Sequence, residues 1–400
     1  MSKIILHCDL DAFFCRAEEI KNTSLEGKAF IVGGEGRGGI VSTCSYKARE
    51  YGIHSGMPTF QAKMLNRNVL VIPGDYEFYN LLSREFISFL KQYSNKIEQV
   101  SIDECFLDLT DYYKLHKGNI LDILNSIQKG LYKKTKLKVS IGVGTTKFIA
   151  KMASDYKKPL GITIIHNKDI KKYLFPLPVK SFFGIGKKTV PQLNEIGIKT
   201  IGDLYNFAIE NNSLLVELLG KFTYEIPLYL EGKSSDEIYN EFDDPKSIGM
   251  SRTFSFDTND KNVILQYLNK EIERVVNSLK KEKKVCKTIT LTYKNAAYNG
   301  DFKSKTFSKS FNEYTQDLST IKNEAIDFFN KTYDGQVIRL IGFTLKNFQD
   351  LHETVTQMTF DNFLTHEKES KTFLLVNELN REFNKNLFKR LSDIEEHENN

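Results

Sequence analysis

No stretch of this 400-residue chain approaches the roughly 20 consecutive apolar residues that a membrane-spanning helix requires, so a membrane protein is not expected. A secretory leader is missing as well: Met1-Ser2-Lys3 is followed by only five apolar or near-apolar residues before Asp9 interrupts them, which predicts a cytoplasmic protein. The five cysteines, Cys8, Cys15, Cys44, Cys105 and Cys286, are scattered and contain no C-x-x-C pair. Zinc and redox centres are therefore not expected, and free, mostly buried thiols are. Neither sign of charge dominates, since the net charge is +5, and no repeat or low-complexity tract interrupts the chain. With 40% hydrophobic and 27% charged residues, the composition is that of a folded globular protein and excludes wholesale disorder.

The chain is too long for one ordinary core of about 100–150 residues, which predicts three or four domains. Charge is distributed unevenly among them. Between Lys246 and Lys346 there are 18 Lys/Arg against 11 Asp/Glu, a net +7, whereas Phe348 to the end carries 6 against 11, a net −5. A basic island of this kind suits contact with a phosphate backbone, although a solvated basic surface would look the same.

Periodicity places the elements. Ile5, His7 and Asp9 alternate with Ile4, Leu6 and Cys8, the pattern of a strand with Asp9 at its end. Tyr79, Leu82, Phe86, Phe89, Leu90 and Tyr93 recur at helical spacing, and two strands, Ile97 to Asp103 and Glu104 to Leu109, meet tightly. A helix through Ile120, Ile123, Leu124, Ile127 and Leu131 leads to strand Val139–Val143, a short helix around Phe148 to Tyr156, and a last strand from Gly161 to Ile165. With residues 14–74 set aside as an insertion, the order is βαββαβ plus one helix, a ferredoxin-like arrangement. The inserted stretch holds Gly33-Gly34-Glu35-Gly36-Arg37-Gly38-Gly39, which lacks the Gly-Lys-Ser/Thr ending of a phosphate-binding P-loop and reads as a hairpin turn.

Past Pro176 and Pro178, the run Phe183-Gly184-Ile185-Gly186-Lys187-Lys188 followed by Gly197-Ile198 and Gly202-Asp203 resembles a helix-hairpin-helix module. Its glycines would let backbone amides approach a nucleic-acid phosphate, with Lys187 and Lys188 adding charge. A polar linker at 234–245 precedes strand patterns near Ser247 to Phe256, Thr288 to Tyr293, Phe302 to Phe307 and Val337 to Leu345, which alternate with two amphipathic helices.

Candidate chemistry rests on carboxylates. Asp9 ends the first strand, and Asp103-Glu104 lies where two strands join; hard oxygen donors of this kind suit Mg²⁺. Adjacent strand residues point to opposite faces, so Asp103 and Glu104 can converge only at a turn or bulge. Spacing alone would add Asp11, two residues beyond Asp9, as a fourth ligand. Any one of these aspartates could equally be an ordinary turn residue.

Together, Asp9-Leu10-Asp11-Ala12-Phe13-Phe14, Ser45-Tyr46-Lys47-Ala48-Arg49, Ser55-Gly56-Met57-Pro58, Ser101-Ile102-Asp103-Glu104 and Lys157-Lys158-Pro159-Leu160-Gly161 resemble, in order and spacing, the Y family of DNA polymerases. The likeness is closest to its DNA polymerase IV (DinB) branch and runs from residue 1 to about 346. It implies an α+β multidomain fold: a ferredoxin-like palm (1–13 and 75–166), inserted fingers (14–74), a helical thumb with the helix-hairpin-helix (167–233), and an α/β little finger (246–347), followed by a tail (348–400). It implies template-directed DNA synthesis by two-metal phosphoryl transfer, with two Mg²⁺ ions held by Asp9, Asp103, Glu104 and the Leu10 carbonyl, and no metal contact from Asp11.

By the same resemblance Phe14 is the steric gate against a ribose 2′-hydroxyl, Phe13 frames that pocket, and Tyr46, Arg49 and Lys158 hold the triphosphate. Gly33, Gly34, Ser42 and Thr43 form a roof whose small side chains leave space for a damaged template base, which implies lesion tolerance and low fidelity. No segment resembles a proofreading exonuclease. Primer-template DNA would be gripped by Gly184, Gly186, Lys187 and Lys188 and, in the little finger, by Lys246, Ser247, Arg252 and Thr253. Thr356 to Phe363 resembles a sliding-clamp peptide: Gln357 and Met358 fit and Phe360 stands for Leu, but Asp361 takes the aromatic position, and a plain loop accounts for it equally well. A monomer is expected. A class III nucleotide cyclase shares the palm topology but explains neither the insertion nor the basic domain, and a non-catalytic scaffold has no need of the charge cluster.

Overall fold

The computed structural model describes residues 3–351 except 117, 211, 235–236, 240–243 and 297–302. The Gln357, Met358 and Phe360 segment lies outside the described residues. Two compact units divide the chain, Met1–Asp244 and Pro245–Asn400. Among the described residues no helix is long and apolar enough to cross a membrane.

The first unit opens with β1 (Ile5–Leu10), α1 (Phe13–Lys21), β2 (Phe30–Gly33), β3 (Val41–Cys44), α2 (Tyr46–Arg49), α3 (Thr59–Leu65) and β4 (Leu70–Ile72). It continues through α4 (Tyr76–Leu90), β5 (Ile97–Gln99), β6 (Glu104–Asp108), α5 (Thr110–His116), α6 (Ile120–Thr135), β7 (Val139–Gly144), α7 (Lys147–Tyr156) and β8 (Ile162–Ile164). The main sheet has the order β5-β6-β1-β7-β8, with β1 antiparallel to both neighbours and β8 parallel to β7. Apart from β8, this is the split βαββαβ order that periodicity predicts. The inserted stretch forms a second sheet, β3-β2-β4, and its glycine-rich segment is the antiparallel connection from β2 to β3. A Cβ on Gly33 would fall 2.3 Å from the Ile40 carbonyl oxygen, so the hairpin closes only over glycine there.

The two faces of β1 serve different ends. Leu6, Cys8 and Leu10 bury against α4 and α6 in the largest apolar cluster, with Leu82, Phe86, Leu124 and Ile127. On the opposite face, where Asp9 lies, Ile5 and Phe106 pack on Ala150 of α7. The helix sits unusually close to the strands beneath it, because β7 presents glycine: a Cβ on Gly142 would lie 2.1 Å from the Ala150 carbonyl oxygen, and one on Gly144 would lie 2.6 Å from Ile149. Helix α7 also contributes Phe148, Ile149 and Met152 to a further core shared with α8 (Ile170–Tyr173), α9 (Thr189–Glu195), α10 (Ile201–Ile209), α11 (Ser213–Leu219) and α12 (Phe222–Leu230). Helix α10 starts with a capping box in which the Thr200 hydroxyl accepts from the Asp203 amide and the Asp203 carboxylate from that of Thr200. Of the expected linker, Ile238 packs against the Ile5, Phe106 and Ala150 group, and the Tyr239 amide donates to Glu98 at 3.1 Å.

The second unit comprises β9 (Ser247–Thr258), α13 (Lys261–Lys281), β10 (Lys284–Asn295), β11 (Ser304–Thr315), α14 (Leu318–Thr332) and β12 (Ile338–Asp350). Its sheet, β11-β10-β12-β9, is antiparallel throughout, and one face packs on the helices through Ile289, Leu291, Tyr293, Ile341, Phe343 and Leu345.

Gly142→Ala should therefore destabilise the protein by about 1–3 kcal/mol or more through overpacking beneath α7. Urea unfolding measures it, and an unchanged midpoint would contradict the close packing of helix on strand.

Candidate active site

The strand expected from Ile97 to Asp103 ends at Gln99. Residues 100–103 turn instead, because the amides of Val100 and Ser101 both donate to the Glu104 carbonyl, at 3.1 and 3.2 Å. Within the turn the Ser101 hydroxyl donates to Asp103 Oδ1 at 2.6 Å and accepts from the Asp103 amide at 3.3 Å. The turn is closed onto β1 by the Leu10 amide donating to the Asp103 carbonyl at 2.9 Å, one residue from the cross-strand pair Asp9 and Glu104. Asp103 and Glu104 thereby leave the strand alternation that would have sent them to opposite faces.

Around Glu104 the electrostatics are dense. His7 Nε2 lies 3.3 Å and Lys151 Nζ 2.8 Å from Glu104 Oε2. Lys151 also reaches Asp9 Oδ2 at 3.2 Å, and Lys158 Nζ reaches the same oxygen at 2.7 Å. The His7 contact, opposed by burial and aided by Lys151, holds the Glu104 carboxyl down to about 2. Asp103 moves the other way: burial raises it against the Ser101 hydrogen bond, and the neighbouring charges of Asp9 and Glu104 push it further. Burial lowers the His7 imidazole, and His7 Nδ1 lies 2.8 Å from the Ser154 hydroxyl of α7. One donor atom each from His7, Asp9 and Glu104 falls within 4.8 Å of the others, a spacing able to hold a cation. Two carboxylates there, with Asp103 alongside, form the hard oxygen set that suits Mg²⁺.

Beside these acids a cleft of about 220 Å³ is lined by Asp9, Leu10, Asp103 and Lys158 on the sheet side. Its other wall holds Phe13, Phe14, Tyr46 and Arg49, with Ser42 and Thr43 from β3. The structure thus brings into one cavity every residue expected to bind metal or nucleotide except Glu104, whose carboxylate is taken up by His7 and Lys151. Phe14 is stacked on Tyr79, ring centroids 4.5 Å apart and 14° from parallel, with Tyr76 edge-on at 5.7 Å. The Tyr79 hydroxyl in turn donates to Glu18 at 2.6 Å. Arg49 lies over the Tyr46 ring at 4.6 Å. Burial raises the Tyr46 phenol, and its nearest charge is Asp11.

Asp11, the ligand that spacing alone would add, has its oxygens committed. Oδ1 accepts from the Ser140 hydroxyl at 2.8 Å and from Tyr46 at 3.2 Å, and Oδ2 accepts from the Leu160 amide at 2.8 Å. It ties β7, α2 and the 158–160 loop around the cleft. Sequence reasoning missed His7, Lys151, Ser101 and Tyr79. His7 was legible in principle, two residues before Asp9 on the same strand face; Ser101 lay within a motif and Tyr79 within a helical repeat, but neither pattern marks their contacts, and Lys151 had no pattern at all.

The expected nucleic-acid contacts lie at the surface. Gly184, with φ of 103°, Gly186, Lys187 and Lys188 are exposed at the turn before α9. Ser247 and Thr253 are exposed on β9 beside exposed Lys246, but Arg252 points to the helix side, where its Nε donates to buried Glu271 at 2.8 Å. The sheet face away from the helices is a field of small hydroxyls, with Thr288 and Ser310 and likewise Thr290 and Ser308 bonded at 2.9 Å.

Residues 8–155 match the impB/mucB/samB family, 245–360 that family's C-terminal domain, and 167–198 its helix-hairpin-helix motif. DNA polymerase IV of Listeria monocytogenes serotype 4a is 36% identical over 88% of this chain and 97% of its own length. DNA polymerase IV of Bacillus anthracis is 34% identical over 98% of this chain and 94% of its own. Among solved structures, a Y-family DNA polymerase chimera of Dbh and Dpo4 superposes with a TM-score of 0.73 at 27% identity, covering 87% of this chain and 99% of the chimera. DinB from Sulfolobus solfataricus gives a TM-score of 0.55 at 27% identity, covering 86% and 98%. The α+β architecture, the cleft and these matches show that the chain belongs to the Y family of DNA polymerases. Within it, the chain falls in the DNA polymerase IV branch and is a DNA-directed DNA polymerase of the translesion class.

The opposed shifts at the two adjacent acids predict opposite stability effects. A carboxyl held low stabilises the fold above its ordinary range near 4.5 and loses that contribution as pH falls toward 2, so Glu104→Gln should lower Tm at pH 7.5 and flatten the acid-side decline. A carboxyl held high penalises the fold once ionised, so Asp103→Asn should raise Tm at pH 7.5. Thermal melts from pH 3 to 8 check both signs.

Proposed function

We propose that this chain extends a primer 3′ end with deoxynucleotides copied from a template, past damaged bases and at low fidelity. The observation that carries the reading is the shared cleft in which Asp9, Asp103 and Lys158 face Phe14, Tyr46 and Arg49. Asp9, Asp103, Glu104 and the Leu10 carbonyl are the groups that would hold two Mg²⁺ ions. Such ions, when bound, activate the primer hydroxyl and stabilise the pyrophosphate leaving group.

The chain's own residues do the rest. Lys158 and Arg49 offset triphosphate charge, and the Tyr46 hydroxyl, whose single proton goes to Asp11 in the unliganded cleft, would turn that donor to a phosphate oxygen. Phe14 lies under the deoxyribose as a steric gate, with Phe13 behind it. The roof of Gly33, Gly34, Ser42 and Thr43 presents few side-chain atoms to the nascent pair, so shape checking is weak and a distorted template base fits. Fidelity then rests on this pocket alone, without a proofreading exonuclease.

In domain terms, 1–13 and 75–166 act as palm, 14–74 as fingers, 167–233 as thumb and 246–347 as little finger. Primer-template DNA is held through phosphates by the exposed Gly184-to-Lys188 turn and by Lys246, Ser247 and Thr253 of β9. Arg252 serves there by fixing β9 to α13 through Glu271. Gln357, Met358 and Phe360 form a candidate sliding-clamp peptide, and the enzyme acts as a monomer.

Primer extension with Mg²⁺ tests the core of this reading. Wild type should add deoxynucleotides, Asp103→Ala should reduce addition by several orders of magnitude, and synthesis should continue past an abasic site. Undiminished addition by Asp103→Ala would remove the assignment. Phe14→Ala should admit ribonucleotides, and rejection as strong as in wild type would mean the gate lies elsewhere. Lys187→Ala with Lys188→Ala should weaken binding to all DNA sequences alike and reduce the slope of log affinity against log salt by about 1 for each phosphate no longer neutralised.

A further inference from the structure

Lys151 has no place in the triphosphate or metal sets, yet it sits in the middle of the carboxylate cluster. Its ammonium lies 2.8 Å from Glu104 Oε2 and 3.2 Å from Asp9 Oδ2, and its side chain is only 13% exposed. Both oxygens belong to the acids assigned to metal binding, so a divalent ion and this ammonium compete for the same lone pairs. One turn further along α7, Asp155 Oδ2 stands 3.8 Å from the same ammonium, and its other oxygen takes Lys158 at 2.7 Å. Asp155 is half-exposed and belongs to neither β1 nor β6, so it offers Lys151 a second acceptor at a small displacement. Glu104 is less free to follow, because His7 also contacts its Oε2 and is itself set by Ser154 on α7.

Resting on that metal-ligand assignment, we propose that Lys151 is a positioning residue: it holds Asp9 and Glu104 together as a built-in counter-cation, competes with divalent ions for them, and transfers to Asp155 when an ion takes those oxygens. The arrangement keeps like-charged acids in register without an ion and makes ion binding weaker than the bare carboxylates would give. It also makes ion uptake sensitive to a residue that touches neither nucleotide nor DNA.

Calorimetric titration of Mn²⁺ and of Mg²⁺ into the full-length, DNA-free protein tests this without reading activity. Lys151→Met should bind the ion about tenfold or more tightly, as expected when a cation within about 4 Å of the site is removed. Its Tm in EDTA should fall and its ion-induced rise in Tm should exceed that of wild type. Lys151→Arg, which keeps the charge, should restore the wild-type pattern. Asp155→Asn should weaken ion binding more in the wild-type background than in Lys151→Met, where only its contact with Lys158 remains. Affinity in Lys151→Met equal to or below wild type would overturn the proposal, and equal weakening by Asp155→Asn in both backgrounds would remove the transfer step. Binding unaffected by Asp9→Asn would instead sink the metal-ligand assignment itself, so the two failures are distinguishable.

Discussion

Helix α7 lying close against the central sheet is the interaction on which the rest of the site depends. The approach exists because Gly142 and Gly144 leave β7 bare under the helix, with no room for even a methyl group. It places Ala150 in the small core under β1, and it brings Lys151 to the acids and Ser154 to His7. The opposite side of the helix supplies Phe148 and Met152 to the core shared with α8–α12. One element thus joins the catalytic sheet to the helical domain, and it carries much of the charge that balances the acids.

That balance is uneven by construction. Three acids and two ammonium groups leave a net negative cluster, and Asp103, raised first by burial and further by its charged neighbours, has among the described residues a hydroxyl and no cation as its partner. Glu104 takes the imidazole and one lysine, Asp9 takes both lysines. A site meant to receive cations has to retain some unrelieved repulsion, because full internal pairing would leave an ion nothing to gain. On the metal assignment proposed above, the destabilisation at Asp103 is the counterpart of ion affinity.

Much of this was legible in residue order. The two-residue alternation of β1 and the 3.6-residue spacing in α4 and α6 marked the sheet and its helices, and the joined motifs picked out residues that line one cleft. Boundaries were less legible: the strand expected to reach Asp103 stops at Gln99, since backbone amides of 100 and 101 converge on one carbonyl, an arrangement that leaves no trace in residue type. Spacing favoured Asp11 as a ligand, whereas its oxygens are bonded to Ser140, Tyr46 and Leu160, between 35 and 149 positions away. Lys151 and Tyr79 were invisible for the same reason. Arg252 read as a backbone-gripping cation, but strand parity turns it toward Glu271.

The stack of Phe14 on Tyr79 joins α1 to α4, and the Tyr79 hydroxyl returns to α1 through Glu18. A ring braced on both sides cannot tilt independently of the two helices that carry it. On the gate assignment proposed above, discrimination between sugars is a property of a small folded bracket, not of one side chain, and its sharpness should follow the rigidity of that bracket. Heat, denaturant or a distant substitution that loosens the α1–α4 seam would blur the choice of sugar before it stopped synthesis.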